Sequence, residues 1–260
     1  MRFNDGDNNT AVGFLSLWVN EIGNGNSAFG RGALSSNVLG HSNSAFGISA
    51  LINNTDGSNN TAVGDFALGF NTMGENNVGI GRFALRVNTN GSDNCALGAL
   101  ALRTSLGTNN IVIGFDAQVA NPLQDNQIRM GNAAIISVAI QVSWSVSSDL
   151  HWKEKVRDLP YGMNLISKLR PVDYVRKNSS IKTREVGFIA QELVQVLEEV
   201  GFDDQGFLTQ TDQGHYEVRY NDFIPIAIKG IQEQQEEIEL LKTKYNQLLE
   251  RIELLEKSKF

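Results

Sequence analysis

Apolar and polar positions recur along the first half of the chain with a period longer than that of any single helix or strand. The segments NTAVG, NSAFG, NSAFG, NTAVG, NVGIG, NCALG and NIVIG end at Gly13, Gly30, Gly47, Gly64, Gly81, Gly98 and Gly114, spaced 17 residues apart five times and then 16. Leu17, Leu34, Leu51, Leu68, Leu85 and Leu102 form a second column, and Gly23, Gly40, Gly57, Gly74 and Gly91 a third, with Gly107 one residue early. Regular self-similarity of this kind marks stacked repeats. A 17-residue copy is too short for two helices but suits one coil of two short strands, with its two glycines as sharp turns at positive φ. Side chains alternate along a strand. The residue before each first glycine (Val12, Phe29, Phe46, Val63, Ile80, Leu97, Ile113) is therefore expected to point inward. So is the residue two places earlier, Cys95 among them, read as a small buried apolar side chain. The near-constant alanine between them is expected to face outward, where something packs closely. Coils stacked on such columns give a mainly β fold, a narrow β-roll or β-solenoid shaft.

Beyond the repeats the pattern changes twice. Ile128, Met130, Ile135, Val138, Ile140, Val142 and Val146 predict two or three strands turning at Gly131-Asn132. Residues 160–169 and 190–200 read as short amphipathic helices, separated by the strand-like VDYV and EVGF, and Tyr216–Tyr220 as a further strand. From Asn221 the period is helical to the end. Ile231, Ile238, Tyr245 and Ile252 alternate at 3-4 spacing with Gln234, Leu241, Leu248 and Leu255, a coiled-coil seam with Gln234 setting register. The seam leaves the number of strands open. The predicted organisation is a β shaft over 1–120, a β connector over 121–147, an α+β domain over 148–222 and a coiled coil over 223–260.

Composition sharpens the boundary. The first lysine of the chain is Lys153, and most of the charge lies after residue 147. The formal charge of −7 argues against a nucleic-acid partner, which would favour a clustered basic surface. One cysteine allows no internal disulfide, and no apolar run of about 18 residues suggests membrane insertion. The polar start lacks a signal-peptide core, and the repeats begin abruptly at Asn8, so the sequence is expected to be a fragment of a longer chain. Asn9, Asn26, Asn43, Asn60, Asn77, Asn94 and Asn110 invite a metal or glycan reading, but an asparagine ladder bonded to neighbouring backbone fits better. His41, His151 and His215 show no ligand-like spacing, and no glycine-rich phosphate loop opens a helix. No metal or cofactor is expected.

The chemistry concentrates at the boundary, in Ser147-Ser148-Asp149-Leu150-His151-Trp152-Lys153. A serine hydroxyl becomes a nucleophile when a base takes its proton, and lysine can be that base if burial lowers its pKa. Five extended residues would span about 17 Å; a helical turn shortens the axial separation to roughly 7.5 Å, which the lysine stem can help to bridge. The alternative from spacing alone is a helix cap with Lys153 solvated. The segment resembles the S-D-x-R-x-K motif of the self-processing intramolecular chaperones that end phage tail spikes and fibres, with His151 where that family has arginine. Leu169-Arg170-Pro171-Val172-Asp173-Tyr174 and Gly187-Phe188-Ile189-Ala190-Gln191-Glu192 are similar to its downstream stretches. The resemblance implies a homotrimer joined along the seam. It also implies a single-turnover cut between Ser147 and Ser148, with Ser148 as nucleophile, Lys153 as base and Asp149 orienting the turn or the lysine.

The repeats themselves resemble the β-roll heads of trimeric autotransporter adhesins, which implies that subunits meet on the alanine face. Together these likenesses imply a virion tail fibre or spike that engages a host receptor or glycan. A bacterial surface adhesin with an uncleaved trimerisation tail, and a Ser–Lys hydrolase acting on external substrates, are the competing expectations.

Overall fold

The computed structural model describes residues 3–135, 138, 139, 141, 145–177, 182–202, 206–211 and 214–257. Two compact units divide the chain, Met1–Val138 and Ala139–Phe260.

The first unit is a β-solenoid. Each coil contributes one three-residue strand: Thr10–Val12, Ser27–Phe29, Ser44–Phe46, Thr61–Val63, Val78–Ile80, Cys95–Leu97, Ile111–Ile113 and Ile128–Met130. They pair in parallel, coil to coil and in register, as one eight-stranded sheet. The expected second strand is reduced to the pairing of Phe3–Asn4 with Val19–Asn20 and a bridge between Val87 and Thr104. The remainder of each coil is turn. The sheet runs on through Met130 into the segment expected as connector; Ile135, Val138 and Val146 are exposed outside any strand. Ile140 and Val142 lie outside the described residues.

The phase of the strands is the reverse of that expected. Ala28, Ala45, Ala62 and Ala96 are fully buried, whereas the larger residues that follow them face outward and are 37% to 42% exposed. Cys95 likewise sits on the outward side and is half-buried. The reason is width. Across the coil interior each alanine meets the leucine column: a Cβ added at Gly79, which holds the alanine position, would lie 3.3 Å from Leu68 Cγ. One leucine fills the coil, and only alanine or glycine fits opposite for most of its length, so Val, Phe, Ile and Leu are turned out.

Those leucines adopt the left-handed conformation, with φ between 43° and 51° at Leu17, Leu34, Leu51, Leu68, Leu85 and Leu102. Such a backbone costs a non-glycine residue about 1–2 kcal/mol. Complete burial of the side chain stabilises by roughly 1.5–3 kcal/mol and offsets it. Of the two glycine columns only the first needs positive φ: Gly47 has φ 140°. In the second, close approach decides, since a Cβ at Gly57 would lie 2.4 Å from the carbonyl oxygen of Gly74 in the next coil.

Two asparagine ladders complete the interior. In the expected one, the backbone N–H of Asn43 donates to Asn26 Oδ1 at 2.9 Å while Asn43 Nδ2 donates to Gly57 O at 2.8 Å. The second runs through Asn20, Asn37, Asn54, Asn71 and Asn88, all fully buried. From Asn37 on, each Nδ2 donates both to the preceding asparagine's Oδ1 and to a glycine carbonyl of its own coil, as Asn54 does to Asn37 and Gly57 at 2.8 Å each. Buried amides without such partners would each cost about 1–3 kcal/mol.

The second unit is α+β. It holds α1 (Met163–Ile166), the hairpin Val172–Val175 with Arg184–Gly187, α2 (Ala190–Glu199), the hairpin Leu208–Gln210 with Tyr216–Val218, and α3 (Phe223–Lys257). Leu165, Leu197, Phe207 and Ile226 form its core. Only the first turns of α3 join this core. Ile226 and Gly230 are buried, and a Cβ at Gly230 would lie 2.6 Å from Ile166 Cδ1. Glu233 adds a polar tie, its carboxylate accepting from the Met163 N–H at 2.7 Å.

Candidate functional site

Ser147, Ser148 and Asp149 lead into a single 3₁₀ turn, Leu150–Trp152. Asp149 is its N-cap: Asp149 Oδ1 accepts from the His151 backbone N–H at 2.9 Å and lies 2.5 Å from His151 Nδ1. These contacts hold the Asp149 carboxyl below the usual carboxylate range, first through the backbone hydrogen bond, then through the imidazole, and least through Lys153. The turn closes where the Lys153 N–H donates to Leu150 O at 3.0 Å. This reverses the chain enough for Lys153 Nζ to donate to Ser148 Oγ at 2.7 Å. Asp149 thus caps a turn, and the capped turn brings Lys153 Nζ within hydrogen-bond distance of the Ser148 hydroxyl. In the single chain every residue from Ser145 to Asp158 is exposed, with Trp152 at 79%.

The Gly187–Glu192 stretch is a structural joint. Gly187 ends a strand beside Tyr220, and a Cβ there would lie 2.4 Å from Tyr220 Oη. The Phe188 N–H donates to Tyr220 Oη at 3.0 Å, and the Phe188 ring stacks on Tyr220 and packs against Phe223 at the start of α3. Ile189 precedes α2, and Ala190, Gln191 and Glu192 are its first three residues. Glu192 accepts from Arg170 Nε at 2.9 Å and pairs also with Arg170 Nη2. A carboxylate in the first turn also suits the helix dipole. Sequence reading singled out the stretch but not Tyr220, whose hydroxyl stands where a Cβ at 187 would press.

Along α3 the seam residues Ile231, Ile238, Leu241, Tyr245, Leu248, Ile252 and Leu255 are all exposed. Ile224, one heptad before Ile231, is exposed too. Residues facing the core, Ile226 and Gly230, lie on another side of the helix. A 35-residue helix that anchors two turns and leaves an apolar stripe open is compatible with a coiled coil.

Among the described residues no helix is long and apolar enough to cross a membrane. No curated protein and no solved structure matches the chain. Residues 148–202 match the family model described as the chaperone of endosialidase. The match supports an intramolecular-chaperone role related to self-cleaving peptidases, and with the β-solenoid it fits a phage tail-fibre-like protein.

Proposed function

We propose that the protein is a homotrimeric tail fibre or spike whose C-terminal intramolecular chaperone joins three chains, guides the shaft into register and then cuts itself off between Ser147 and Ser148. The 2.7 Å contact between Lys153 Nζ and Ser148 Oγ, at the first residue of the chaperone match, carries this reading. The chaperone covers residues 148–222, and the coiled coil follows from 223 to 260. The alternative, a bacterial trimeric adhesin that keeps its tail, shares the assembly and lacks the cut. A hydrolase of external substrates is the reading from a different class, and it would turn over foreign peptides many times where a self-cleaving chain cuts once.

In this reading the reaction is an acyl shift followed by hydrolysis. Neutral Lys153 takes the Ser148 hydroxyl proton, and Oγ attacks the carbonyl carbon of Ser147. The tetrahedral intermediate collapses as the C–N bond breaks, and the Ser148 nitrogen takes the proton back from Lys153 as it becomes a free amine. Water then hydrolyses the ester, which releases the Ser147 carboxylate and restores the Ser148 hydroxyl. Each chain cuts once. Lysine serves as a base only when dehydration disfavours its ammonium form, and in the single chain Lys153 is in water. Assembly supplies the cover, so cutting waits for the trimer.

Intact mass of folded protein over time tests this. The wild type should yield a fragment ending at Ser147, whereas Ser148→Ala and Lys153→Ala should assemble and stay whole. His151→Arg should speed the cut. A well-formed wild-type trimer that keeps full-length chains for days would overturn the self-cleaving reading and leave the uncut adhesin.

A further inference from the structure

We infer that the outer face of the solenoid's eight-stranded sheet is a contact surface between copies of this chain, which pack in parallel with equal coils opposed. The inference deepens the homotrimer reading above by naming the surface on which the shafts meet.

The face is built from the two outward positions of each strand. The second of them forms an unbroken apolar column, Val12, Phe29, Phe46, Val63, Ile80, Leu97, Ile113 and Met130, every member at least 37% exposed. Phe29 and Phe46 stack within it, their ring centroids 5.0 Å apart. The first outward position is Thr or Ser through Thr61 and becomes Val78, Cys95, Ile111 and Ile128 thereafter. The last four strands are therefore apolar at both outward positions. None of the outward positions on the eight strands is charged, although exposed charges such as Asp56, Glu75 and Arg82 stand on other parts of the same coils.

Area and chemistry identify the occupant. At the exposures recorded, the face presents on the order of 700 Å² of apolar surface, above the ~300–600 Å² of the largest patch on an ordinary monomer. It comes close to the ~800 Å² per partner of a standard protein interface. A sugar chain is a poor fit, because the last four strands offer no side-chain hydroxyl or amide to its hydroxyl groups. A negatively charged copy of the same chain can approach through an uncharged face without like-charge repulsion. Parallel stacking of coils at one spacing repeats the apolar column at the same interval on every copy. Copies related by a rotation axis along the sheet then meet residue to like residue.

Cys95, the single cysteine of the chain, lies on this face and reports on it directly. In parallel, coil-to-coil packing it stands opposite its counterpart in a neighbouring copy. The test treats the folded, assembled full chain with a short bifunctional maleimide while light scattering records its mass. Covalent dimers should form through Cys95 and vanish in Cys95→Ser. They should return when Ser44→Cys, on the same column, is added to that variant, and stay absent when Asp56→Cys, on an exposed turn outside the face, is added instead. An assembled mass with no cross-link at position 95 or 44 would overturn the inference and leave assembly through α3 standing. A monomeric mass would overturn both. Cross-linking as efficient at position 56 as at 95 would mean collision rather than packing and would also overturn it.

Discussion

Asn54→Ala tests how far the shaft depends on its buried amides. Asn54 is fully buried and makes three side-chain bonds: Nδ2 to Asn37 Oδ1 and to Gly57 O, and Oδ1 from Asn71 Nδ2, each at 2.8 Å. Two neighbours keep a good partner after truncation, since Gly57 O still accepts from Asn43 and Asn71 Nδ2 still donates to Gly74 O. Asn37 Oδ1 keeps only a long contact from Asn43 Nδ2 at 3.5 Å. With about 1 kcal/mol per lost bond and a partial penalty for one stranded oxygen, the cost is roughly 3–4 kcal/mol. Asn53→Ala next to it is the control. Asn53 is half-buried and makes one side-chain bond, to Gly69 O at 3.0 Å, so about 0.5–1.5 kcal/mol is expected. Both variants are unfolded in guanidinium at one protein concentration and read by circular dichroism. Where refolding lags, rates of unfolding are compared instead. Equal costs for the two variants would refute the view that the ladder, rather than leucine packing alone, holds adjacent coils.

Three further outcomes follow from the second unit. Because the Asp149 carboxyl is held below its ordinary range by the His151 N–H, the cap is in place above the ordinary carboxylate pKa and is lost as pH falls through the lowered one. Protection of the His151 amide should therefore be lost only below the ordinary carboxylate range, and Asp149→Asn, which also caps, should remove that pH dependence. Gly187→Ala should lower stability by about 1–3 kcal/mol through overpacking against Tyr220, and Tyr220→Phe should recover part of the loss in a double-mutant cycle read by thermal unfolding. Ile238→Asp with Leu241→Asp should abolish assembly by placing unpaired charge in the seam; an unchanged mass by light scattering would count against the coiled coil.

The period of the repeats was legible because stacking requires chemical identity at fixed spacing: a glycine that meets the next glycine's carbonyl, a leucine that fills each coil, an amide bonded to its copy 17 residues on. The phase was not legible from side-chain size. Large residues flanking a small one read as a core on either side of a surface, yet the interior has room for one leucine and one alanine. A better signal was present in the variation among copies. The alanine position changes to glycine at Gly79 and to valine only at Val112 across the inner six strands, whereas the outward position after it runs through Phe, Val, Ile and Leu. Constant volume marks the inside of a narrow coil, and variable volume marks its surface. The second ladder, Asn20 to Asn88, also recurs at 17-residue spacing but lies outside the motif beside the strands, so no strand period points to it. At the boundary, the pairing of Ser148 with Lys153 needed more than spacing. The cap at Asp149 turns the chain, and a cap reads in the sequence as a reason for lysine to be solvated rather than for it to meet serine.

The same features explain why such a shaft gains from a helper. A single coil leaves its leucine in a strained backbone with the compensating burial incomplete, and its ladder amides lack their partners on either side. The first coils to form are therefore uphill, and stability arrives only as neighbours stack. Because every coil resembles the next, a slip of one whole repeat between chains preserves most contacts and is a trap rather than a clash. In the proposed trimer, concentrating three chain ends through α3 would raise their effective concentration and fix a common starting coil, so that the register of the first contact would be inherited by the rest. Once the coils are stacked, each ladder amide and leucine is satisfied by the shaft itself and the helper adds nothing to those contacts. A device needed once, at one end and before completion, would be suited to removal by the proposed single cut.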